Sequence, residues 1–173
     1  VTADEFIEQI ATIDGLSILV NNAGANRPQP FVEVDIDSLD FIIDLNVRAA
    51  FRVAQAAAKT MLSQGTKGSI VNMSSQMGHV GSTNRSVYCM TKHAIEGLTK
   101  AMAVELAPKG IRVNTVAPTF VETPMTAPML KDPEFREFVY SMIPLGKLAS
   151  LDDVVAAVLY LVSPGAGMVT GHS

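Results

Sequence analysis

The stretch "GLSILVNNAG", residues 15–24, decides the fold class of this chain. A run of about four to eight apolar residues that ends in turn-forming residues is typical of a strand buried on both faces. "GSIVNMSS" at residues 68–75 and "GIRVNTVAP" at residues 110–118 repeat the pattern. Helical periodicity precedes the first strand and separates the others. Helices that alternate with apolar strands predict a parallel α/β sheet covered on both faces.

The helices predicted around these strands have recognisable limits. Residues 4–13 and 37–61 show helical spacing of apolar residues, and the second range is predicted to be one long helix. A third helix carries "SVYCMTKHA", residues 86–94, and ends before Gly110. Two further helices are expected, a short one near residues 132–143 and another opened by a capping box at residues 150–153.

Composition limits the classes of protein to which this sequence can belong. The 173 residues fit a single domain, 1–173, and the formal net charge of −4 leaves no basic surface for a nucleic acid. The single cysteine, Cys89, rules out an intramolecular disulfide, and the three histidines lack metal-ligand spacing, which favours a cytoplasmic protein without a metal. No apolar stretch is long enough for a membrane span. A hydrophobic content of 48% against 17% charged residues indicates surfaces buried between subunits.

Polar residues follow each predicted strand and indicate a site. "NNAG", "SSQMG" and "PTFVETP" come after the first, second and third strand, and the carboxyl ends of parallel strands lie along one edge. Tyr88 and Lys92 lie one helical turn apart in the third helix, so the ammonium can lower the phenol's pKa towards that of a useful proton shuttle. Taken alone, the same spacing is also typical of an amphipathic pair on a solvated face.

The order of several short motifs distinguishes these alternatives. "NNAG" at residues 21–24, Asn46 in "DLNVRAAF", "GSIVNMSS", "YCMTK", "GIRVNTVAP" and "VETP" follow one another, with thirteen residues from Ser75 to Tyr88. In this set the chain resembles the short-chain dehydrogenase/reductase family over residues 16–171. The resemblance implies a doubly wound, Rossmann-like parallel sheet and an NAD- or NADP-dependent interconversion of a secondary alcohol and a ketone.

The resemblance also implies a catalytic role for four residues. Tyr88 would be the general acid/base, and Lys92 would lower its pKa and bind the nicotinamide ribose. Ser75 would hydrogen-bond the substrate oxygen, and Asn46 would hold a water that links Lys92 to solvent. Asn46 is also conspicuous on physical grounds, because asparagine is a poor helix former and this one lies in the middle of the long predicted helix.

Cofactor and substrate positions follow from the same resemblance. The residues implied to bind the cofactor are Asn22, Ala23, Gly24, Tyr88, Lys92, Pro118, Val121 and Thr123. The positions expected to face the substrate are Gln76, Met77 and Asn84. The chain departs from the family pattern at Thr119, where a glycine usually follows the proline, and this bulkier residue is expected to reshape the pocket beside the nicotinamide.

The resemblance covers only part of a complete family member. The strand, glycine-rich turn and helix that hold the cofactor's phosphates are not found before Leu16, so the chain is expected to start in the helix before the family's fourth strand. An isolated chain of this length is then expected to bind dinucleotide poorly and to associate through an exposed strand edge.

Three functions remain open at this point. The loops look closest to those of sugar, polyol and gluconate dehydrogenases, which act on a small alcohol or ketone. A 3-oxoacyl carrier-protein reductase is the main rival, and a truncated, non-catalytic homologue that serves as a structural subunit is the third. The alanine-rich helix and the helix that carries Tyr88 are expected to pair in a homodimer or homotetramer.

Overall fold

Three parallel strands form the centre of the molecule. The computed structural model describes residues 3–123 and 126–173, and within them the strands lie in the order β1 (Ile18–Asn21), β2 (Gly68–Met73) and β3 (Ile111–Val116). Val20 lies opposite Val71 in one pair, and Asn72 lies opposite Thr115 in the other. All three strands were predicted from the sequence, and the parallel α/β fold class is confirmed.

Burial across the sheet increases from β1 towards β3. Ile70, Ile111 and Val113 are completely buried, whereas Ile18 and Val20 on β1 are 47% and 41% exposed. Burying one such side chain fully stabilises the fold by about 1.5–3 kcal/mol relative to leaving it exposed. β2 and β3 therefore form the stable part of the sheet, and β1 presents an apolar edge to solvent.

Helices cover both faces of this sheet. One face carries the main core, in which helical residues such as Met61 and Leu106 pack with Ile70 and Val113. On the other face the Ser69 hydroxyl donates to the carbonyl of Leu161, which holds the last helix against β2. The helices in chain order are α1 (Ala3–Ala11), α2 (Ile36–Ile43), α3 (Ala50–Ser63), α4 (Ser86–Leu106), α5 (Pro133–Ser141) and α6 (Leu151–Val162).

The long helix predicted over residues 37–61 is interrupted. α2 and α3 are separated by a π-helical turn, Asp44–Ala49, with Asn46 inside it. Such turns are rare, and they occur mainly where a side chain must leave the regular helical direction. The prediction of a single long helix was therefore wrong, because apolar periodicity located its helical parts but gave no indication of the turn that divides them.

The helix ends follow the chemistry of their capping residues. Ser150 caps α6 by accepting from the Asp153 amide, while the Asp153 carboxylate accepts from the Ser150 amide, as predicted. These backbone and side-chain hydrogen bonds from Ser150 hold the pKa of Asp153 below its ordinary value. At the end of α4, Gly110 adopts a left-handed backbone with φ of 80°, which permits the sharp turn into β3.

Residues after α6 return to the sheet beside β3. The Gly171 amide donates to the Val113 carbonyl over 2.7 Å, and the Thr115 amide donates to the His172 carbonyl over 2.8 Å. The free edge of β3 is therefore covered by backbone of the same chain. Among the described helices, none combines the length and apolar character needed to cross a membrane.

Candidate active site

The four residues predicted to be catalytic come from three separate elements. Ser75 follows β2, Asn46 lies in the π-helical turn before α3, and Tyr88 and Lys92 lie in the first two turns of α4. A side chain added at Gly24, after β1, would lie 3.3 Å from Asn46 Oδ1 and 3.8 Å from Lys92 Nζ. The structure thus brings the ends of β1 and β2, the π-helical turn and α4 together at the carboxyl edge of the sheet.

Asn46 is held by the loop that follows β1. Its Nδ2 donates to the Ala25 carbonyl and its Oδ1 accepts from the Ala25 amide, both over 2.9 Å. Nδ2 also lies 3.2 Å from Thr91 Oγ1 on α4. The side chain is only 2% exposed, so these contacts fix the loop, the π-helical turn and α4 relative to one another. The side chain could meet both backbone groups of Ala25 only because the turn directs it out of the helical path.

Ser75 and Tyr88 lie near one another. The Ser75 hydroxyl acts on the phenol as a hydrogen-bond donor that lowers the pKa of Tyr88, and its oxygen accepts from the Met77 amide over 3.2 Å. Ser75 caps a 3-10 turn, Gln76–Gly78, and this position sets the direction of its hydroxyl. The neighbouring Ser74 is buried, and among the described residues its hydroxyl has no hydrogen-bond partner. The preference for Ser75 over Ser74 as the catalytic serine stays a prediction.

The environment of Tyr88 raises the pKa of its phenol, whereas the sequence predicted a lowered pKa. Burial raises the pKa of the phenol, while the hydrogen bond from Ser75 and the charge of Arg85 act to lower it. Burial is the largest of these effects, so the net shift is upward. The sequence predicted a pKa lowered by Lys92. That expectation overlooked desolvation, which disfavours the charged phenolate.

Lys92 is buried, and its charge is directed at β2. Its Nζ donates to the Met73 carbonyl over 2.7 Å and lies 5.5 Å from the centre of the Tyr88 ring. Burial lowers the pKa of this ammonium to about 8, and the charge of Glu96 opposes the shift. The side chain is therefore still largely protonated at neutral pH and can act as a cation beside the phenol.

Hydrogen bonds join the loop after β2 to the loop after β3, next to Ser75 in the sequence. The Gln76 amide donates to the Pro118 carbonyl over 3.0 Å, and the Thr119 hydroxyl donates to Gln76 Oε1 over 3.0 Å. Thr119, the departure from the family pattern, thus fixes the side chain of a residue predicted to face the substrate. A glycine at this position would leave Gln76 without that contact.

Four of the remaining predicted residues differ in their burial and local contacts. Val121 is buried and forms an isolated parallel bridge with Ala149, and the Thr123 amide donates to Thr126 Oγ1 over 3.0 Å. Of the predicted substrate positions, Met77 is buried, whereas Asn84 is exposed and has a left-handed backbone with φ of 59°. The end of the "VETP" motif, residue 124, lies outside the described residues.

Sequence reasoning did not identify three residues at this site. Arg85 acts on Tyr88 by its charge, Thr91 contacts Asn46, and Glu96 acts on Lys92. Thr91 and Glu96 could have been suspected from their positions on α4, three and four residues from residues already predicted to be catalytic. No local pattern distinguishes Arg85 from an ordinary residue of a polar loop.

Comparison with known proteins agrees with this geometry. The model of the family described as enoyl-(acyl carrier protein) reductase matches residues 2–173. A short-chain type dehydrogenase/reductase from Mycobacterium marinum is 35% identical, with a TM-score of 0.90 over 98% of this chain and 67% of that one. The chain belongs to the short-chain dehydrogenase/reductase family. The resemblance predicted from the order of the motifs is confirmed, and so is the oxidoreductase class that it implied.

Two further members of the short-chain dehydrogenase/reductase family show which enzymes the chain is similar to. L-xylulose reductase of Mus musculus is 43% identical over 166 residues, which cover 96% of this chain and 68% of that protein. The gluconate 5-dehydrogenase from Burkholderia cenocepacia J2315, crystallised in complex with NADP and tartrate, is 30% identical. Its TM-score is 0.92 over 98% of this chain and 67% of that one.

Proposed function

We propose that this chain forms the reacting half of an NAD(P)-dependent oxidoreductase that interconverts a secondary alcohol and a ketone on a sugar, polyol or sugar acid. The observation that supports the proposal is the buried ammonium of Lys92, 5.5 Å from the centre of the Tyr88 ring, with the Ser75 hydroxyl acting on the same phenol. Together these groups offer a proton, a hydroxyl partner for the same oxygen and a nearby positive charge.

The proton chemistry belongs to Tyr88. In the reducing direction its phenol gives a proton to the carbonyl oxygen of the substrate, and in the oxidising direction the phenolate takes the proton of the alcohol. Ser75 donates to the same substrate oxygen and so fixes its distance from the phenol. Lys92 stabilises the phenolate, because a cation close to a phenol favours its charged form. Asn46 keeps Ala25 and α4 in place around these groups.

The residues next to Lys92 fit the nicotinamide end of the cofactor. Gly24 keeps the space between Asn46 and Lys92 open, since a side chain there would lie 3.3 Å from Asn46 Oδ1 and 3.8 Å from Lys92 Nζ. Lys92 and Tyr88 would bind the nicotinamide ribose from one side of this space. When bound, NAD(P)H supplies a hydride to the substrate carbon.

Other segments would hold the remaining parts of the cofactor. Pro118, Val121 and Thr123 would lie along the carboxamide, and Asn22 and Ala23 along the adenosine side. The tether from Gln76 to Thr119 and Pro118 supports this placement, because it holds the loop after β3 next to the serine that would bind the substrate oxygen. Gln76, Met77 and Asn84 would border the substrate.

Substitution of Tyr88 tests the mechanism. Tyr88→Phe removes only the hydroxyl, and we expect turnover to fall by about 10²–10⁴-fold while the protein remains folded. Tyr160→Phe is the matched control, because Tyr160 is 52% exposed on α6, and its turnover should equal that of the parent. Full turnover in Tyr88→Phe would refute the assignment of the acid/base.

A substrate panel separates the alternatives for the reaction. L-xylulose and gluconate are the probes named by the relatives, and a 3-oxoacyl thioester represents the acyl-chain alternative. We expect kcat/KM to be highest for the sugar probes. A preference for the thioester would support the 3-oxoacyl reductase, and inactivity on every probe in the full-length protein would support the non-catalytic homologue.

Oligomerisation and location complete the proposal. We infer that residues 1–173 lie in a single Rossmann-like domain that assembles as a homodimer or homotetramer in the cytoplasm. Apolar residues exposed on α4 and α6 support the assembly, and the single cysteine supports a reducing compartment. The acidic net charge supports a small-molecule substrate rather than a nucleic acid.

A further inference from the structure

Glu96 is a buried carboxylate that the proposed mechanism does not use. It is 5% exposed and lies on α4 one turn after Lys92. The Thr115 hydroxyl donates to Oε2 over 3.0 Å, and the Ser173 hydroxyl donates to Oε1 over 3.2 Å. Carboxylates are rarely buried unless hydrogen bonds and charges compensate the loss of water. Two segments other than α4 thus supply hydrogen bonds to this single side chain.

A third segment connects Glu96 to the turn that begins at Ser75. His79 Nε2 lies 3.3 Å from Glu96 Oε1, which is an ion pair when the imidazole is protonated. His79 directly follows the 3-10 turn, Gln76–Gly78, that Ser75 caps. Gly78 packs so closely on the same side chain that an added Cβ would lie 3.0 Å from Glu96 Cγ. The carboxylate therefore lies beneath the turn that orients the Ser75 hydroxyl.

Glu96 also acts on Lys92 by its charge. Burial lowers the pKa of Lys92 to about 8, and the negative charge of Glu96 raises it. The titratable groups that face Glu96 are His79 from the turn and Lys92 from the same helix, while β3 and the C-terminal segment contribute hydroxyl groups. Without the carboxylate, less negative charge would oppose the effect of burial, and the pKa of Lys92 would fall further.

We propose that Glu96 is a positioning residue, which keeps the Lys92 ammonium charged at neutral pH and anchors the Ser75 turn through His79. The inference rests on the proposed function, in which a protonated Lys92 stabilises the Tyr88 phenolate. Glu96 would touch neither substrate nor cofactor. It would connect the cation and the hydroxyl of the site from the same face of α4, one turn beyond Lys92.

Glu96→Gln tests the electrostatic part, because it removes the charge and keeps the shape. The Thr115 hydroxyl can accept from the new amide, so the variant retains its hydrogen bonds. We expect the titration midpoint of Lys92, followed by NMR of its side-chain Cε, to fall by about one pH unit. Glu105→Gln on the exposed face of the same helix is the control, and its Lys92 midpoint should not move.

The pH profile of the full-length protein gives a second measurement. If protonated Lys92 is required, the alkaline limb of kcat/KM should move to lower pH in Glu96→Gln by about the same single unit. Glu96→Asp keeps the charge, so its alkaline limb of kcat/KM should lie close to the pH of the parent's limb. If the Lys92 midpoint falls but the alkaline limb of kcat/KM does not move, the electrostatic coupling between Glu96 and Lys92 is confirmed. The proposed role of protonated Lys92 in the reaction is then contradicted.

A Lys92 midpoint unchanged in folded Glu96→Gln would overturn the inference. Should that variant fail to fold, Glu96→Met provides the same test, since an apolar residue of similar length is often tolerated where a buried charge is removed. Because the NMR titration needs neither substrate nor turnover, its result is independent of whether the proposed function is correct.

Discussion

Lys92 shows how a residue suited to chemistry can oppose stability. Its ammonium is 7% exposed, and burial lowers its pKa from 10.5 to about 8. Keeping such a group charged in the folded protein costs free energy, because its hydration is lost and the Met73 carbonyl and Glu96 compensate for only part of that loss. The same burial places the charge beside the phenol in a medium where it acts more strongly than in water.

Replacement of Lys92 by methionine should stabilise the fold. We expect Lys92→Met to raise the free energy of unfolding at neutral pH by about 1–3 kcal/mol, since a buried ammonium is exchanged for an apolar chain of similar length. The variant should lose turnover. Urea denaturation at neutral pH with a thiol reductant measures the change, and a variant less stable than the parent would contradict the argument.

The sign of the pH dependence provides a control for this prediction. The folded pKa lies below the unfolded value, so between about pH 8 and pH 10.5 the unfolded chain binds more protons. The contribution of Lys92 to the free energy of unfolding therefore rises with pH across that window. This contribution should vanish in Lys92→Met, so the advantage of the variant over the parent should shrink towards about pH 10.

Among the elements, the turn after β2 needs a glycine at position 78 in order to pack closely against α4. A Cβ added at Gly78 would lie 2.7 Å from Ser74 Oγ, 3.0 Å from Glu96 Cγ and 3.1 Å from the Lys92 carbonyl oxygen. The last of these atoms belongs to the backbone of α4 and cannot move aside. The turn can therefore approach the helix closely enough for Ser75 to reach Tyr88 only without a side chain at this position.

Gly78→Ala should displace the turn from α4. We expect a loss of about 1–3 kcal/mol in stability, as for other overpacked sites, and a fall in kcat because Ser75 moves away from Tyr88. Gly81→Ala in the same loop is the control, since a Cβ there has no neighbour within 4 Å. Equal stability and kcat in the two variants would show that the contact is not needed.

The π-helical turn is the second element whose form follows from one side chain. The regular α-helical geometry is interrupted at Asn46. Its side chain instead contacts both backbone groups of Ala25 and the hydroxyl of Thr91. Those contacts pair the amide and the carbonyl of Ala25 in a loop that is only partly buried. The irregular turn is thus stabilised by the loop that it holds in place.

At the scale of the whole molecule, α4 presents a regular apolar stripe to solvent. Five exposed residues recur at intervals of four and three: Met90, Ala94, Gly97, Ala101 and Val104. This is the spacing by which two helices pack along a common seam. On α6, Leu151, Val155 and Leu159 form a second exposed row at intervals of four. Two separate apolar surfaces are what a tetramer with two kinds of interface requires.

A charge placed on the α4 stripe should weaken the assembly. We expect Val104→Glu to reduce the mass of the full-length protein measured by light scattering, because a carboxylate would be buried in the seam. Val32→Glu is the control, since Val32 is 89% exposed on the 3-10 turn Phe31–Glu33, outside both rows. A parent protein that is already a monomer would contradict the proposed oligomer.

The sequence by itself determined which segments fold into strands and helices and in what order the site residues occur. Apolar runs closed by polar residues or proline predicted the three strands, and the capping box predicted the start of α6. The spacing of Tyr88 and Lys92 placed both on one face of α4. These features were predictable because they depend on residues close to one another along the chain.

Only the tertiary structure decided how these groups interact. Asn46 hydrogen-bonds Ala25, and Lys92 donates to the Met73 carbonyl. Glu96 contacts three residues distant in sequence: His79, Thr115 and Ser173. These partners are separated by 17 to 77 residues along the chain. The upward pKa shift of Tyr88, opposite to the sequence-based expectation, follows from burial between segments. Desolvation and charge depend on every atom packed around a group, so no local pattern of residues can specify them.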